Sequence, residues 1–190
     1  MRKFKLRTGA SNPYEINVDS ACDNPIQLIG LYKRLENTDR PYGKHYNRSL
    51  SFAPYNETAY HFCPYSSNSR EVTKESRKKE LTDYERNIYN AVRDYFDLAV
   101  YIVQQETGIY VGERMARRIL EDYLSAEGHM YYWATLYNIP WMLLYFLRPR
   151  PCYGLEVKDG SALQIFLSER KDVCLTSGKH NGYVKVDKAK

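Results

Sequence analysis

The sequence predicts an α+β fold, with a central bundle of about four helices, an N-terminal α/β portion and a C-terminal antiparallel β-meander. Apolar residues recur at helical spacing from 81 to 107, and Gly108 supplies a helix stop. The run Arg-Pro-Arg-Pro at 148–151 then ends the helical region. Short alternating runs separated by glycine-containing turns follow it, which indicates strands.

Composition shifts divide the chain into four segments. These are an N-terminal α/β portion with a tyrosine-rich hairpin (1–67), a charged linker (68–80), a helical core (81–150) and the β-meander (151–190). The last two are expected to form one compact unit. With 43% hydrophobic and 27% charged residues among 190, the composition is that of a globular protein.

In the N-terminal portion the sequence predicts two short strands, at 2–7 and 14–18, joined by a turn. The dipeptide Asn24-Pro25 predicts the start of a helix that ends near Asn37, because proline is favoured at the first helical position. Residues 48–52 and 58–63 are predicted to form the two arms of a hairpin.

The central helix is predicted from Leu81 to Thr107, with Thr82 and Glu85 forming a capping box. Two neighbouring apolar stripes run along it, so other elements should pack on both sides. The stripes are Tyr84, Ile88, Ala91, Tyr95, Ala99 and Ile102, and Tyr89, Val92, Phe96, Val100 and Val103.

A second helix is predicted over 112–127, followed by a run without charged residues at 129–147. This run approaches the ~20 residues that a membrane span needs. Its tyrosines, Asn138 and Pro140 are unsuited to hydrocarbon. We therefore expect two core helices, 129–137 and 139–147, and no membrane partner. Strands are predicted at 153–157, 162–167, 172–176 and 183–186.

The formal net charge is +5, and 19 residues are tyrosine. Basic residues exceed acids in 1–50 and 151–190, whereas acids exceed bases in 81–150. A positive field favours polyanions or an acidic protein surface. The four cysteines include no Cys-x-x-Cys pair, and no apolar run follows the basic N-terminus. These features predict a cytoplasmic protein with reduced thiols.

Segment 42–65 is the main candidate binding site, because it interleaves aromatic rings with basic side chains. Rings stack on bases at about 1–3 kcal/mol per base, while cations contact phosphates. Two other interpretations are open: a hairpin with its rings in the core, and a protein interface, where tyrosine and arginine are also enriched. The candidate binding residues are Tyr42, Lys44, His45, Tyr46, Arg48, Tyr55, Tyr60 and Tyr65.

Further basic residues are candidates outside that segment. Glutamates interleaved with the linker cations favour a solvated face over a phosphate track. On the second helix, Arg117 and Arg118 have acids at helical i,i+4 spacing, whereas Arg114 has none. The additional binding candidates are Lys74, Arg77, Lys78, Lys79 and Arg114.

His61 and Cys63 would face the same side of a strand, as two ligands of one metal ion must. His45 is the nearest third ligand, but a structural zinc site needs four and no fourth is marked. The sequence therefore predicts no metal site and no cofactor. The set His45, His61 and Cys63 is the alternative.

No glycine-rich phosphate loop, GxSxG or HExxH motif occurs in the sequence. The run Gly-Leu-Glu-Val-Lys at 154–158 resembles the E-x-K strand of the PD-(D/E)xK nuclease superfamily. This five-residue resemblance implies that Glu156 binds a divalent metal while Lys158 steadies the attacking water. That family also needs an aspartate on a preceding hairpin strand, whereas helices are predicted before this motif.

These observations predict a non-enzymatic binding protein that engages nucleic acid or a nucleic-acid-handling protein complex. A basic, tyrosine-rich chain of this size would suit a phage or mobile-element accessory protein that inhibits a host nucleoprotein, such as a CRISPR effector. The alternatives are the metal-dependent nuclease and a self-associating structural protein that buries tyrosines in a homodimer.

Overall fold

The computed structural model describes residues 4–5, 15–32, 36, 38, 40–67 and 73–189. Along the chain these residues form a first group of strands, a mainly helical middle and a second group of strands with one helix among them. The predicted α+β class is confirmed. Residue contacts divide the chain into two units that differ from the predicted segments. Unit 1 comprises Met1–Tyr84 and Met130–Thr135, and unit 2 comprises Glu85–His129 and Leu136–Lys190.

A four-stranded antiparallel sheet supplies the strands described in unit 1. In spatial order they are β1 (Phe4–Lys5), β2 (Glu15–Val18), β3 (Pro25–Ile29) and β4 (Tyr42–His45). β1 and β2 confirm parts of the two predicted strands, whose remaining residues lie outside the described set. Among the described strands, β4 forms one edge of the sheet, with Ile26 of β3 opposite His45.

The predicted helix starting at Pro25 is wrong, because this segment is strand β3. Proline fits the first residue of a strand as well as the first turn of a helix. The deciding factor is pairing on both sides, with Ile16 opposite Gln27 and Gly43 opposite Leu28. These partners are distant in sequence, and the predicted end near Asn37 lies outside the described residues.

The predicted hairpin at 48–63 is also wrong. Its second arm is helix α1 (Glu57–Phe62), and Asn56 caps it by accepting a hydrogen bond from the Ala59 N–H at 3.0 Å. In the first arm, a single β-bridge joins Leu50 to Ala53. The Asn56 side chain satisfies a free N–H at the helix start, which stabilises a helix where a strand was expected.

Residues 73–80 differ from the predicted linker, because Ser76 and Lys78 are buried. The backbone here pairs with the segment after Gly128: the Lys78 N–H donates to Met130 O at 2.8 Å, and the Tyr132 N–H donates to Ser76 O at 3.0 Å. The predicted helix over 129–137 is therefore replaced by a 3-10 turn, Gly128–Met130, and this pairing. Residues 68–72 of the linker lie outside the described set.

The predicted central helix is confirmed as α2 (Asp83–Thr107). Thr82 Oγ1 accepts from the Tyr84 N–H at 3.3 Å at its start, and Gly108 follows it with φ +70°. The two-sided packing expected for α2 is wrong. Its buried residues form one stripe, whereas Tyr89, Tyr95, Leu98 and Tyr101 are exposed. Tyr95 also lies at an internal break, with φ −131° and ψ 27°.

The other predicted helices of unit 2 are present as α3 (Glu113–Ser125) and α4 (Ile139–Phe146). Both bury apolar side chains, including Ile119 on α3 and Leu143 on α4. No helix among the described residues has both the length and the apolar character needed to cross a bilayer.

The C-terminal region is an antiparallel sheet interrupted by a helix. Strands β5 (Glu156–Lys158), β6 (Val173–Ser177) and β7 (Tyr183–Lys188) lie in the order β5-β7-β6. The predicted strand at 162–167 is instead helix α5 (Ala162–Ser168). Ser161 caps this helix by accepting from the Gln164 N–H at 3.2 Å. A short apolar run does not by itself distinguish a strand from a helix, so the cap decides.

Candidate metal centre and binding surface

The turn between β2 and β3 brings Asp19 and Cys22 together. The Asp19 N–H donates to Asn24 O at 2.9 Å, and the Asp23 N–H donates to Asp19 O at 2.8 Å. Asp23 adopts a left-handed conformation with φ 56°, which aspartate tolerates better than most residues. The tight turn therefore places two side chains, three positions apart, on the same side of unit 1.

Four side chains with metal-binding atoms converge next to this turn. Asp19 and Cys22 are joined by His45, at the end of β4, and Cys63, at the C-cap of α1. Their ligand atoms all lie within 4.8 Å of one another. Asp19, Cys22 and Cys63 are buried, and the side chain of His45 is 8% exposed.

The nitrogen, oxygen and sulfur atoms of these side chains lie close to one another. His45 Nε2 lies 3.4 Å from Asp19 Oδ2 and 3.4 Å from Cys22 Sγ. Cys63 Sγ lies 3.9 Å from Asp19 Oδ2. One carboxylate oxygen, one imidazole nitrogen and two sulfurs thus share one small buried site.

Backbone donors orient the Asp19 carboxylate. Its Oδ1 accepts hydrogen bonds from the N–H groups of Ala21, at 2.7 Å, and Cys22, at 3.3 Å. Its other oxygen, Oδ2, is the one that faces His45 and Cys63. The turn therefore fixes which carboxylate oxygen belongs to the cluster.

The Cys22 sulfur also accepts a hydrogen bond from the Asn24 side chain, whose Nδ2 lies 3.5 Å from Cys22 Sγ. A donor aimed at a sulfur stabilises its thiolate form. The surroundings of Cys22 therefore favour an anionic sulfur.

Asn24 ties the turn to helix α1. Its Nδ2 donates to Asn56 O at 3.0 Å, and its Oδ1 accepts from the Asn56 N–H at 2.6 Å. Asn56 is also the N-cap of α1, so the Asn24 side chain holds the turn against the backbone at the start of the helix that leads to Cys63.

Hydrogen bonds within the cluster shift the pKa values of the two thiols in opposite directions. The bond with Cys63 lowers the pKa of Cys22 to about 6, although burial opposes this change. The same bond, together with burial, raises the pKa of Cys63 well above its usual range. The bond with Cys22 raises the pKa of His45. Cys22 is therefore the thiol of this pair that ionises first.

The structure brings together two residues of the predicted alternative metal set, His45 and Cys63. It places the third, His61, on α1, where its Nε2 lies 3.7 Å from Glu57 Oε1. The sequence reasoning missed Asp19 and Cys22. A signal for them was present in the sequence. Asp19 and Cys22 have two residues between them, which is the spacing of the Cys-x-x-Cys ligand pairs of zinc sites, with aspartate in place of the first cysteine.

The predicted rings and cations of segment 42–65 divide between the surface and the interior of unit 1. Tyr42 and Tyr65 are exposed at 49% and 54%, and Lys44 and Arg48 are exposed as well. The half-buried members of the set are Tyr46, Tyr55 and Tyr60. The Tyr60 ring contacts His45 edge-on, with centroids 5.2 Å apart.

The alternating side chains of strand β4 place its exposed residues and its cluster residue on opposite faces. Successive side chains of a strand point to opposite faces, so Tyr42 and Lys44 share one face while His45 lies on the other. The face with Tyr42 and Lys44 is exposed, and His45 faces the cluster. We call this exposed pair, Tyr42 and Lys44, the β4 surface.

The basic residues predicted in 74–79 occupy different environments. Arg77 and Lys79 are exposed and line a groove of about 470 Å³ whose lining also includes Glu75 and Glu80. Lys78 is buried, with its Nζ 4.9 Å from the ring centroid of Tyr132. Lys74 lies in the 3-10 turn Lys74–Ser76, and its side chain is outside the described set.

The remaining candidates lie in unit 2. Arg114 is exposed on α3. Glu156, the acid of the E-x-K run, bonds His180 through its Oε2, at 2.8 Å from the Nδ1. Among the described residues, Asp19, Cys22, His45 and Cys63 form the one group that could hold a metal ion, so Glu156 belongs to no such group.

No protein-family model, curated protein or solved structure matches this chain. The chemistry of unit 1 therefore carries the functional conclusion.

Proposed function

We propose that this chain is a non-enzymatic binding protein that engages nucleic acid, alone or within a nucleoprotein complex, through the β4 surface of unit 1. The observation that carries the proposal is the exposure of Tyr42 and Lys44 on one face of an edge strand. A ring and a cation in this arrangement offer a base-stacking platform beside a phosphate contact.

Other exposed groups of unit 1 extend this chemistry. Arg48 follows β4 closely in sequence, and Tyr65 adds a second exposed ring. The groove at Arg77 and Lys79 contributes less, because its glutamates oppose phosphate binding. The proposed contact surface is therefore centred on β4.

Fluorescence anisotropy with a labelled single-stranded oligonucleotide tests the proposal. Wild-type protein should bind, and its affinity should fall as salt rises, since phosphate contacts release counterions. Lys44→Ala should weaken binding and reduce the slope of log K against log salt by about 1. Tyr42→Ala should cost about 1–3 kcal/mol of binding, whereas Tyr42→Phe should retain most of it.

Lys171→Ala is the matched control, because Lys171 is an exposed lysine of unit 2. It removes the same charge from elsewhere on the chain and should leave binding nearly unchanged. Equal losses in Lys44→Ala and Lys171→Ala would indicate nonspecific attraction to a basic protein. That result, or no binding at low salt, would overturn the proposal.

A further inference from the structure

We propose that unit 1 binds one Zn²⁺ ion through Asp19 Oδ2, Cys22 Sγ, His45 Nε2 and Cys63 Sγ. The site is a closed structural centre that holds the β2–β3 turn, the end of β4 and the C-terminus of α1 together. It is independent of the proposed nucleic-acid binding, because metal content is measured without any ligand.

Three distances among the four atoms are close to those between the ligands of a tetrahedral zinc ion. With zinc about 2.0 Å from nitrogen or oxygen and about 2.3 Å from sulfur, tetrahedral ligands lie about 3.3–3.8 Å apart. The His45 nitrogen is 3.4 Å from both Asp19 Oδ2 and Cys22 Sγ. The Cys63 sulfur is 3.9 Å from Asp19 Oδ2, and no two of the atoms exceed 4.8 Å.

The donor set selects zinc among the common metal ions. Two sulfurs and an imidazole are the ligands of structural zinc, and a carboxylate oxygen is an accepted fourth. Calcium and magnesium prefer an all-oxygen shell of six or more ligands, which this cluster does not supply. Cys22 and Cys63 therefore act as thiolates, releasing their protons when the ion binds.

Groups around the ligands are arranged as metal sites require. Asp19 Oδ1 accepts hydrogen bonds from two backbone N–H groups, which leaves Oδ2 directed at the ion. The side-chain amide of Asn24 donates to the Cys22 sulfur at 3.5 Å. Such outer contacts fix ligand orientation and raise affinity.

Burial gives a second, independent reason for a cation. Both cysteines lie in a buried cluster with Ala21 and Ala59, against which the partly buried rings of Tyr84 and Tyr132 pack. A buried carboxylate beside two ionisable thiols is costly unless a positive charge compensates it. A dication bound to all three removes this cost.

Elemental analysis of the purified 190-residue protein tests the proposal by measuring its zinc content. Protein prepared with zinc and a reductant, then desalted, should contain about one zinc per chain. Cys63→Ser and Cys22→Ser should each lose most of this zinc. Cys174→Ser should keep it, because Cys174 is exposed and lies in unit 2.

Two further measurements apply even where a cysteine variant does not fold. Asp19→Cys replaces one zinc ligand with another and should retain about one ion. Asp19→Ala removes a ligand and should lose the ion. Wild-type protein refolded with Co²⁺ in place of zinc should show the strong visible absorption of a tetrahedral thiolate site.

Three results would overturn the proposal: wild-type protein that neither contains zinc nor takes up added Zn²⁺, equal zinc loss in Cys174→Ser and Cys63→Ser, or a Cys22–Cys63 disulfide that persists when reductant and zinc are present.

Discussion

The Lys78 ammonium lies 4.9 Å from the ring centroid of Tyr132 and is buried in unit 1. It also lies 5.4 Å from the Tyr84 ring. A desolvated cation over aromatic rings contributes about 2 kcal/mol. Lys78 thus has a structural role, although the sequence grouped it with the surface cations.

Lys78→Ala should therefore lower the free energy of unfolding by about 2 kcal/mol, because it removes a buried cation from between two rings. The neighbouring Lys79 is exposed, and Lys79→Ala should change stability by less than about 0.5 kcal/mol. Urea unfolding of the two variants measures the difference. Equal effects would mean that the Lys78 ring contacts contribute nothing.

Removal of zinc should destabilise unit 1, because the proposed ion joins three of its elements. Chelation should lower the melting temperature of the unit 1 transition by more than about 5 °C, since about 1 kcal/mol shifts a domain of this size by 4–8 °C. Hydrogen exchange should show the loss of protection in β3 and β4, while α3 amides provide the comparison. An unchanged β4 after complete zinc removal would contradict a structural role.

In unit 2, Asp122 should make stability depend on pH in the acidic range. The Arg148 side chain, 2.7 Å from Asp122 Oδ1, holds the pKa of this buried carboxyl below its usual 3.8. The carboxyl therefore stabilises unit 2 fully above its unfolded pKa, and this stabilisation is lost as pH falls through the lower folded pKa.

Asp122→Asn should accordingly be less stable than wild type near about pH 7, and the difference should shrink below about pH 4. Asp97→Asn, at an exposed aspartate of α2, is the control and should behave like wild type. Thermal melts across this pH range provide the measurement. A difference that stays constant with pH would argue against the ion pair.

Tyr123→Phe should stabilise unit 2 by about 1 kcal/mol. Tyr123 is fully buried, and its hydroxyl has no hydrogen-bond partner among the described residues, so its desolvation is uncompensated. Burial also raises the pKa of this phenol. Tyr95→Phe, at an exposed ring, should have little effect. Destabilisation by Tyr123→Phe would reveal a partner for the hydroxyl.

Gly108→Ala should destabilise more than Gly160→Ala, although both glycines have positive φ, +70° and +74°. The left-handed conformation costs alanine about 1–2 kcal/mol at either position. At Gly108 an added Cβ would also lie 3.0 Å from Ser161 Cβ, whereas at Gly160 it meets nothing within 4 Å. Chemical denaturation measures the free energy of unfolding of both variants, and the difference between them gives the steric cost at position 108. Equal losses of stability would mean that the added Cβ meets no steric cost there.

Local signals in the sequence determined the elements whose cause is also local. α2 begins after Thr82 and ends before Gly108, and α3 and α4 lie within their predicted ranges, because helical periodicity and helix-stop signals act within a few residues. The same holds for strands β6 and β7. Where two local signals competed, at Pro25 and Asn56, the prediction failed, and distant strand pairing or a capping bond decided the outcome.

Local signals marked only part of the metal centre. The sequence marked His45, His61 and Cys63 as an alternative ligand set but predicted no metal site, because no fourth ligand was marked. Only the tertiary structure adds Asp19 and Cys22, by folding the β2–β3 turn against β4 and α1. Ligand geometry depends on distances between residues far apart in the chain, and those distances exist only after strands pair and helices pack. The sequence determined which donors the chain has, and the fold decided which of them meet.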